Sequence, residues 1–335
     1  MSLDLTVAIC TYNGATRLPA VLSRLKSQIC PVSINWEVIV VDNNSTDSTA
    51  KVVKSFQQNW LRDVPLRYSF ESRQGLGFAR QNAIEAAKGQ RIGFLDDDNL
   101  PADNWVERVY QFGIDHPHAG VYGSYIQACY ESEPPHNFER ISRFLAIGGA
   151  KREVCYNRFD YPVLRKHVYP AGAGSVVVRD AWLEHVPKQL KLQGRVSGYQ
   201  LPGDDVEAFT YIGNAGWEIW HNPAMLIEHQ IPHTRLQKAY IRNMMWNTGL
   251  SRHHTRALAY QQKYWIMLIP HFVNDLRKLI QHLLNYSISP EDTVADAERQ
   301  LLLGSLLSPF YFFSLQINDF LQPMKAFLLS AHNYL

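Results

Sequence analysis

Three adjacent carboxylates, Asp96-Asp97-Asp98, follow directly on the apolar run at residues 92–95. Like charges at that spacing repel one another, and burying them unpaired is costly. A divalent cation relieves the repulsion, and oxygen ligands suit Mg²⁺ or Mn²⁺ rather than Zn²⁺. The competing reading is a solvated acidic turn. A second polar cluster runs from Asp42 to Asp47. Asp42 is the first polar residue after four apolar ones, so it projects from a strand tip, where it can accept hydrogen bonds from a base or ribose. Ser45, Thr46 and Asp47 read equally well as a turn and a helix cap. A third cluster, Thr11-Tyr12-Asn13, ends the first apolar run.

Other candidates are weaker alone. Asp204-Asp205 open a predicted helix, where acids complement the helix dipole. Transfer to a hydroxyl needs a nearby base, and Asp205 is the best acid for it outside the other clusters. His229 and His233 read as structural hydrogen-bonding groups or as ligands. The stretch from Gly75 to Arg80 partly mimics a dinucleotide fingerprint, but it lacks the third glycine and does not follow the first strand. There is no GxxxxGK[ST] either. Arg80 falls early in a predicted helix, where it meets a phosphate or simply solvent.

The elements that must position these groups follow from periodicity. Continuous apolar runs predict strands at residues 5–10, 37–41, 66–70, 91–95 and 119–123. Helical spacing predicts helices at 18–29, 78–88 and 103–112. That alternation implies an α/β layered domain with a mostly parallel central sheet flanked by helices. Ligands of such sheets bind beyond the carboxyl ends of the strands. Thr11–Asn13, Asp42–Asp47 and Asp96–Asn99 all sit at such ends. Further along, residues 130–165 read as irregular, 173–178 as a strand, 204–212 as a helix, and 218–220 and 225–227 as short strands. From about residue 236 the pattern turns helical.

The chain has 335 residues and 46% hydrophobic content, enough for one large or two small domains. A formal net charge of +2 excludes the strong basic excess expected of a nucleic-acid binder. Four cysteines form no CxxC pair and match no zinc spacing, so they read as reduced thiols of a cytoplasmic protein. The first eleven residues show no secretory pattern, and no stretch of 18 clean apolar residues predicts a spanning helix.

Taken in order, these motifs resemble the family 2 inverting glycosyltransferases of the nucleotide-diphospho-sugar transferase (Rossmann-like GT-A) fold, over about residues 5 to 250. More faintly, the chain resembles the hormogonium polysaccharide biosynthesis subgroup. The resemblance implies that Thr11, Tyr12, Asn13, Asp42, Arg80, Asp96 and Asp97 contact a nucleotide-sugar donor, a UDP-sugar favoured. It implies that Asp96, Asp98 and His229 hold Mn²⁺ or Mg²⁺, and that Asp205 is the base. Gly172–Ser175 resembles a glycine-rich segment on the acceptor side. Arg73 stands where the family often has asparagine, Cys10 where it often has proline, and Asp204 where it has glutamate. The QxxRW motif of processive members is absent, the region reading Arg242-Asn243-Met244-Met245-Trp246, which implies single additions. The implied organisation is a transferase domain at 1–250, with a nucleotide-sugar-binding half at 1–125 and an acceptor half at 126–250. A helical C-terminal region at 251–335 follows. The expected partners are the donor and a glycan or lipid-linked acceptor, with no nucleic acid. Apolar segments at 264–284 and 300–321 predict either a helical subdomain packed on the core or an interfacial helix pair. The latter would place the protein peripherally on the inner face of the plasma membrane. A sugar nucleotidyltransferase is disfavoured by the absence of its glycine- and lysine-rich first loop. A catalytically inactive sugar-nucleotide sensor or scaffold is the reading from another class.

Overall fold

The computed structural model describes residues 3–30, 34–157, 169–196, 199–286 and 292–332. Residues 158–165 of the stretch read as irregular lie outside the described residues. The elements are, in order, β1 (Leu3–Thr11), α1 (Leu18–Lys26), β2 (Trp36–Asp42), α2 (Thr49–Gln58), β3 (Leu66–Phe70), α3 (Leu76–Ala86), β4 (Gly89–Asp96), β5 (Asn99–Pro101), α4 (Trp105–Asp115) and β6 (Ala119–Tyr130). They continue with β7 (Val154–Cys155), β8 (Val176–Val178), α5 (Arg179–His185), β9 (Gly194–Val196), β10 (Tyr199–Leu201), α6 (Asp204–Asn214), β11 (Glu218–Ile231) and α7 (His233–Leu236). The last helices are α8 (Lys238–Tyr260), α9 (Tyr264–Asn285) and α10 (Thr293–His332). Contacts divide the chain into two compact units, Met1–Gln237 and Lys238–Leu335.

The first unit is built on a sheet ordered β3-β2-β1-β4-β8-β6-β11-β5, with β7 also paired to β11. The long strands β1, β2, β3, β4, β6 and β11 all run one way, and the short β5, β7 and β8 run against them. The expected mostly parallel sheet is therefore present. β1 and β2 read as unbroken apolar runs because helices cover both faces. Val7, Ile9, Val38 and Val40 pack with Leu18, Leu22 and Trp105 on one side. Ala8, Cys10, Ile39 and Val41 pack with Ala83, Ile84 and Phe209 on the other.

Two readings of the sequence change. The predicted strands at 218–220 and 225–227 are one long strand, β11, whose pairing with β6 shifts register between Asn222 and Leu226. The helix predicted to run to residue 29 stops at Lys26, where the Gln28 side chain donates to the Ala102 carbonyl and the Ile29 N–H to that of Asp103. The second unit consists of α8, α9 and α10. Among the described residues, no helix is long and apolar enough to cross a membrane.

Candidate active site at the carboxyl edge of the sheet

Parallel strands place their carboxyl ends side by side, so the polar clusters meet. The Thr11 hydroxyl, at the tip of β1, donates to Asp97 Oδ2 at 2.6 Å. Arg17 grips both oxygens of Asp97, at 2.8 and 2.9 Å. Both Asp97 oxygens are thus engaged within the protein. Asn13 sits at φ 49°, a left-handed conformation that asparagine tolerates. It spans to the next loop: its N–H donates to Ser45 Oγ at 2.9 Å, and its side-chain oxygen accepts the Thr46 N–H at 2.8 Å. Asp42 accepts the Ser45 N–H at 2.8 Å and the Tyr68 hydroxyl at 2.8 Å. Asp47 accepts the Thr49 N–H at 3.0 Å at the start of α2, as a turn-and-cap residue does. Tyr12 projects from this edge, 46% exposed.

At the end of β4, the Gln230 N–H donates to the Asp98 carbonyl, stitching the acidic loop to β11. β5 pairs with β11 so that Asn99 faces His229. Asp98 Oδ1 lies 3.6 Å from His229 Nε2, and Arg235 Nη2 lies 2.9 Å from Asp98 Oδ2. Arg235 also places Nη1 3.0 Å from His229 Nε2. A guanidinium can only donate, so Nε2 is the acceptor and its lone pair faces the cation. The buried Nδ1 has no hydrogen-bond partner. Burial pushes the Asp96 carboxyl upward, opposed by the charge of Arg80 and reinforced by that of Asp98.

Among the described residues, no three His, Cys, Asp or Glu side chains form a ready-made metal cage. The Asp98 carboxylate and the His229 lone pair nevertheless converge on one point, and a cation of the chain already occupies it. Mg²⁺ in phosphate enzymes is typically held by one or two carboxylates plus substrate phosphates, so this partial donor set fits such an ion.

A second acidic group is built by α6. Gly203, at φ 114°, turns the chain into the helix and presents Asp204 and Asp205 at its first turn. Asp205 accepts the Gly172 N–H at 2.7 Å on Oδ2 and the Val206 N–H at 2.8 Å on Oδ1. A Cβ at Gly172 would lie 2.5 Å from Arg80 Nη2 and 2.7 Å from Asp205 Oδ2, so only glycine allows this approach. Arg80 Nη1 donates to Asp204 Oδ2 at 2.6 Å, and both side chains are 5% exposed. Burial pushes the Asp204 carboxyl up to about 6, with Arg80 opposing and Asp205 adding. Glu207 is buried and accepts the Lys191 and Leu192 N–H groups. Of the three acids opening α6, Asp205 is therefore the one left partly accessible.

Arg80 thus lies inside the site as a buried ion-pair partner, its charge shared by Asp204, Asp205 and Asp96. Burial also pushes the Cys10 thiol up to about 12, which makes it a core residue and not a nucleophile. All four cysteines are unpaired by disulfides. Two contributors were not assigned to this site from sequence, where Arg235 reads instead as one of a basic group suited to anionic lipid. Arg17 reaches Asp97 across 80 residues, which no local pattern signals. Arg235 follows His229 by six residues, and that spacing beyond a strand end is the one cue available.

Glycosyltransferase AglE of Haloferax volcanii is 35% identical over 104 residues, 31% of this chain and 33% of that protein. The succinoglycan biosynthesis protein ExoM of Rhizobium meliloti is 24% identical over 260 residues, 77% of this chain and 76% of its own length. The match thus spans a third of AglE and about three quarters of ExoM. Among solved structures, the mannosyltransferase PcManGT of Pyrobaculum calidifontis, in complex with GDP-Man and Mn²⁺, superposes with a TM-score of 0.57 at 17% identity, covering 92% of this chain and 87% of that one. This likeness shows the fold, the GT-A arrangement of sheet and helices. The family model of glycosyl transferase family 2 matches residues 6–186, more than half of the sequence, and the chain belongs to that family.

Proposed function

We propose that this family 2 member is a metal-assisted, inverting glycosyltransferase. It moves a sugar from a nucleotide-diphospho-sugar, a UDP-sugar favoured, to a hydroxyl of a glycan or lipid-linked acceptor in cell-surface or exopolysaccharide biosynthesis. One observation carries the reading: the Asp98–His229 pair at the end of β4 and the accessible Asp205 at the tip of α6 belong to one charged cluster, linked through Asp96 and Arg80. The family match and the succinoglycan role in the name of ExoM support it.

On the nucleotide side Tyr12 offers an exposed ring with the half-buried Asn13 beside it. Asp42, 2% exposed with one oxygen on the Ser45 N–H and the other on the Tyr68 hydroxyl, and Thr11, buried on Asp97, brace that edge instead of presenting free groups. Asp97 braces the β1 and β4 loops through Thr11 and Arg17. Mn²⁺ or Mg²⁺, held by Asp98 and His229 with Asp96 beside them, would neutralise charge on the departing diphosphate. Asp205 takes the proton of the acceptor hydroxyl as that oxygen bonds to the anomeric carbon. The carbon–oxygen bond to the diphosphate breaks on the opposite face, and its electron pair leaves with the nucleoside diphosphate.

Thermal melting against UDP, GDP, CDP and dTDP, each with Mn²⁺ and with EDTA, tests the donor reading. One nucleoside diphosphate is expected to raise the midpoint with Mn²⁺ and lose that effect in EDTA, because a ligand of the folded state stabilises it. No shift with any of the four would remove the donor-site assignment. Arg235→Gln provides a second check, since the guanidinium occupies the point on which Asp98 and His229 converge. Without nucleotide, the variant is expected to bind Mn²⁺ on the order of tenfold more tightly, the scale on which groups around a metal site act. Electron paramagnetic resonance of free Mn²⁺ reads this directly, and equal affinity would mean that Arg235 does not compete with the ion.

A further inference from the structure

The second unit carries an apolar face that its own packing leaves uncovered. On α9, Trp265, Ile266, Ile269 and Leu284 are 75%, 77%, 72% and 80% exposed, and Phe272, Val273, Leu276, Ile280 and Leu283 are exposed with them. At 100° per residue these nine side chains fall within an arc of about 120°, a single stripe along the helix. From Trp265 to Leu284 that stripe is about 30 Å long. The opposite face is fixed from within. Tyr264, Asp275 and Leu279 are buried, and Arg256 of α8 holds Asp275 through two contacts of 2.6 and 3.0 Å. α10 adds exposed Leu307, Phe310 and Phe313 to the same unit.

Charge distinguishes the occupants such a face could take. Residues 238–286 carry seven Lys and Arg and a single acid, Asp275; Asp275 is paired with Arg256, and Arg242 with Asp296 of α10. Lys263, Arg277 and Lys278 are exposed on and beside the helix. A second copy would set these cations against their own kind across a two-fold contact. A surface of anionic lipid headgroups complements them, and each cation close to such a surface adds attraction. Arg277 borders the stripe and Lys263 precedes the helix, whereas Lys278 falls on the opposite face. A long amphipathic helix with Trp, Phe and Leu on one side and a cation at its margin has the composition of helices that lie in the bilayer interface.

We propose that α9 is a membrane-surface helix whose stripe, from Trp265 to Leu284, enters the headgroup boundary of an anionic bilayer. The inference stands apart from the donor-site reading. The test is co-sedimentation of the full chain with phosphatidylcholine vesicles, with and without phosphatidylglycerol, beside the double variant Ile266→Glu/Ile269→Glu. Both positions are solvent-exposed, so far-UV circular dichroism and the melting midpoint should match the parent. The parent is expected to sediment with the anionic vesicles, to do so less as salt is raised, and to leave phosphatidylcholine vesicles largely unbound. The double variant is expected to lose at least tenfold in partitioning. Absence of binding to either vesicle, or binding that ignores the two glutamates, overturns the proposal. So does a stable dimer in sedimentation velocity that the double variant dissociates, since the stripe would then be a contact between copies.

Discussion

Asp205→Asn is expected to lower turnover by about 10²–10⁴-fold, the range that a positioned base contributes. The substitution keeps the side chain's size, and its single oxygen can accept either the Gly172 or the Val206 N–H, so one of the two bonds is lost while the backbone hydrogen bonds of α6 remain. What it removes is the carboxylate that can take a proton. Asp204 cannot substitute for it, because that carboxyl is 5% exposed and spent on Arg80, and Glu207 is spent on backbone N–H groups. The nucleoside diphosphate that stabilises the parent should therefore raise the midpoint of the variant equally, with kcat alone collapsing. Two outcomes would change the picture. Loss of nucleotide binding would move Asp205 from the acceptor to the donor side. Unaltered activity would leave the chain without its base, and a protein that binds the sugar nucleotide without turning it over would be the better reading.

Much of the polar edge of the sheet is legible in the sequence because parallel topology makes it so. Buried strands read as apolar runs that stop abruptly, and the first polar residues after each stop, Thr11, Asp42 and Asp96, land on one edge. Direction and distance are what the pattern does not carry. Val176–Val178 is three valines, which says nothing of its running antiparallel between β4 and β6. The break at Asn222 and Pro223 imitates a loop between two strands, whereas a register shift absorbs it within β11. The Asp96-Asp97-Asp98 run looks symmetrical in sequence, yet its members diverge. Asp97 turns to Thr11 and Arg17, and Asp98 to His229 and Arg235. Their partners lie about 80 to 140 residues away along the chain, beyond any local periodicity. The same holds for Arg80, whose partner Asp204 is 124 residues distant.

Arg80→Met is expected to destabilise the protein by about 3–5 kcal/mol, the usual cost of removing one partner from a buried ion pair. For a unit of this size that is a fall in melting midpoint of roughly 10 °C. The guanidinium lies over the Phe94 ring and is the counter-charge for Asp204, Asp205 and Asp96 together, so its loss leaves three acids facing one another. The penalty should depend on pH in a defined direction. With Arg80 present, the folded Asp204 carboxyl is already raised to about 6 from its usual 3.8. A raised carboxyl prefers its protonated form in the folded state, so its contribution to stability is full below about pH 4 and is lost as pH rises through about 6. Removing Arg80 raises it further. The gap between parent and variant should thus be small at pH 4 and widest above pH 7. Arg80→Met/Asp204→Asn removes both charges and should recover most of the loss, since replacing both partners costs far less than orphaning one. Melting curves of the three proteins between pH 4 and 8 check this, and a pH-independent penalty below about 1 kcal/mol would mean that the pair is not what holds this corner. The rescued double variant also separates two roles for Arg80. Restored stability with undiminished nucleotide binding makes Arg80 a residue that sets the acid pair at α6. Restored stability with nucleotide binding lost makes it a donor contact, as the family resemblance implies.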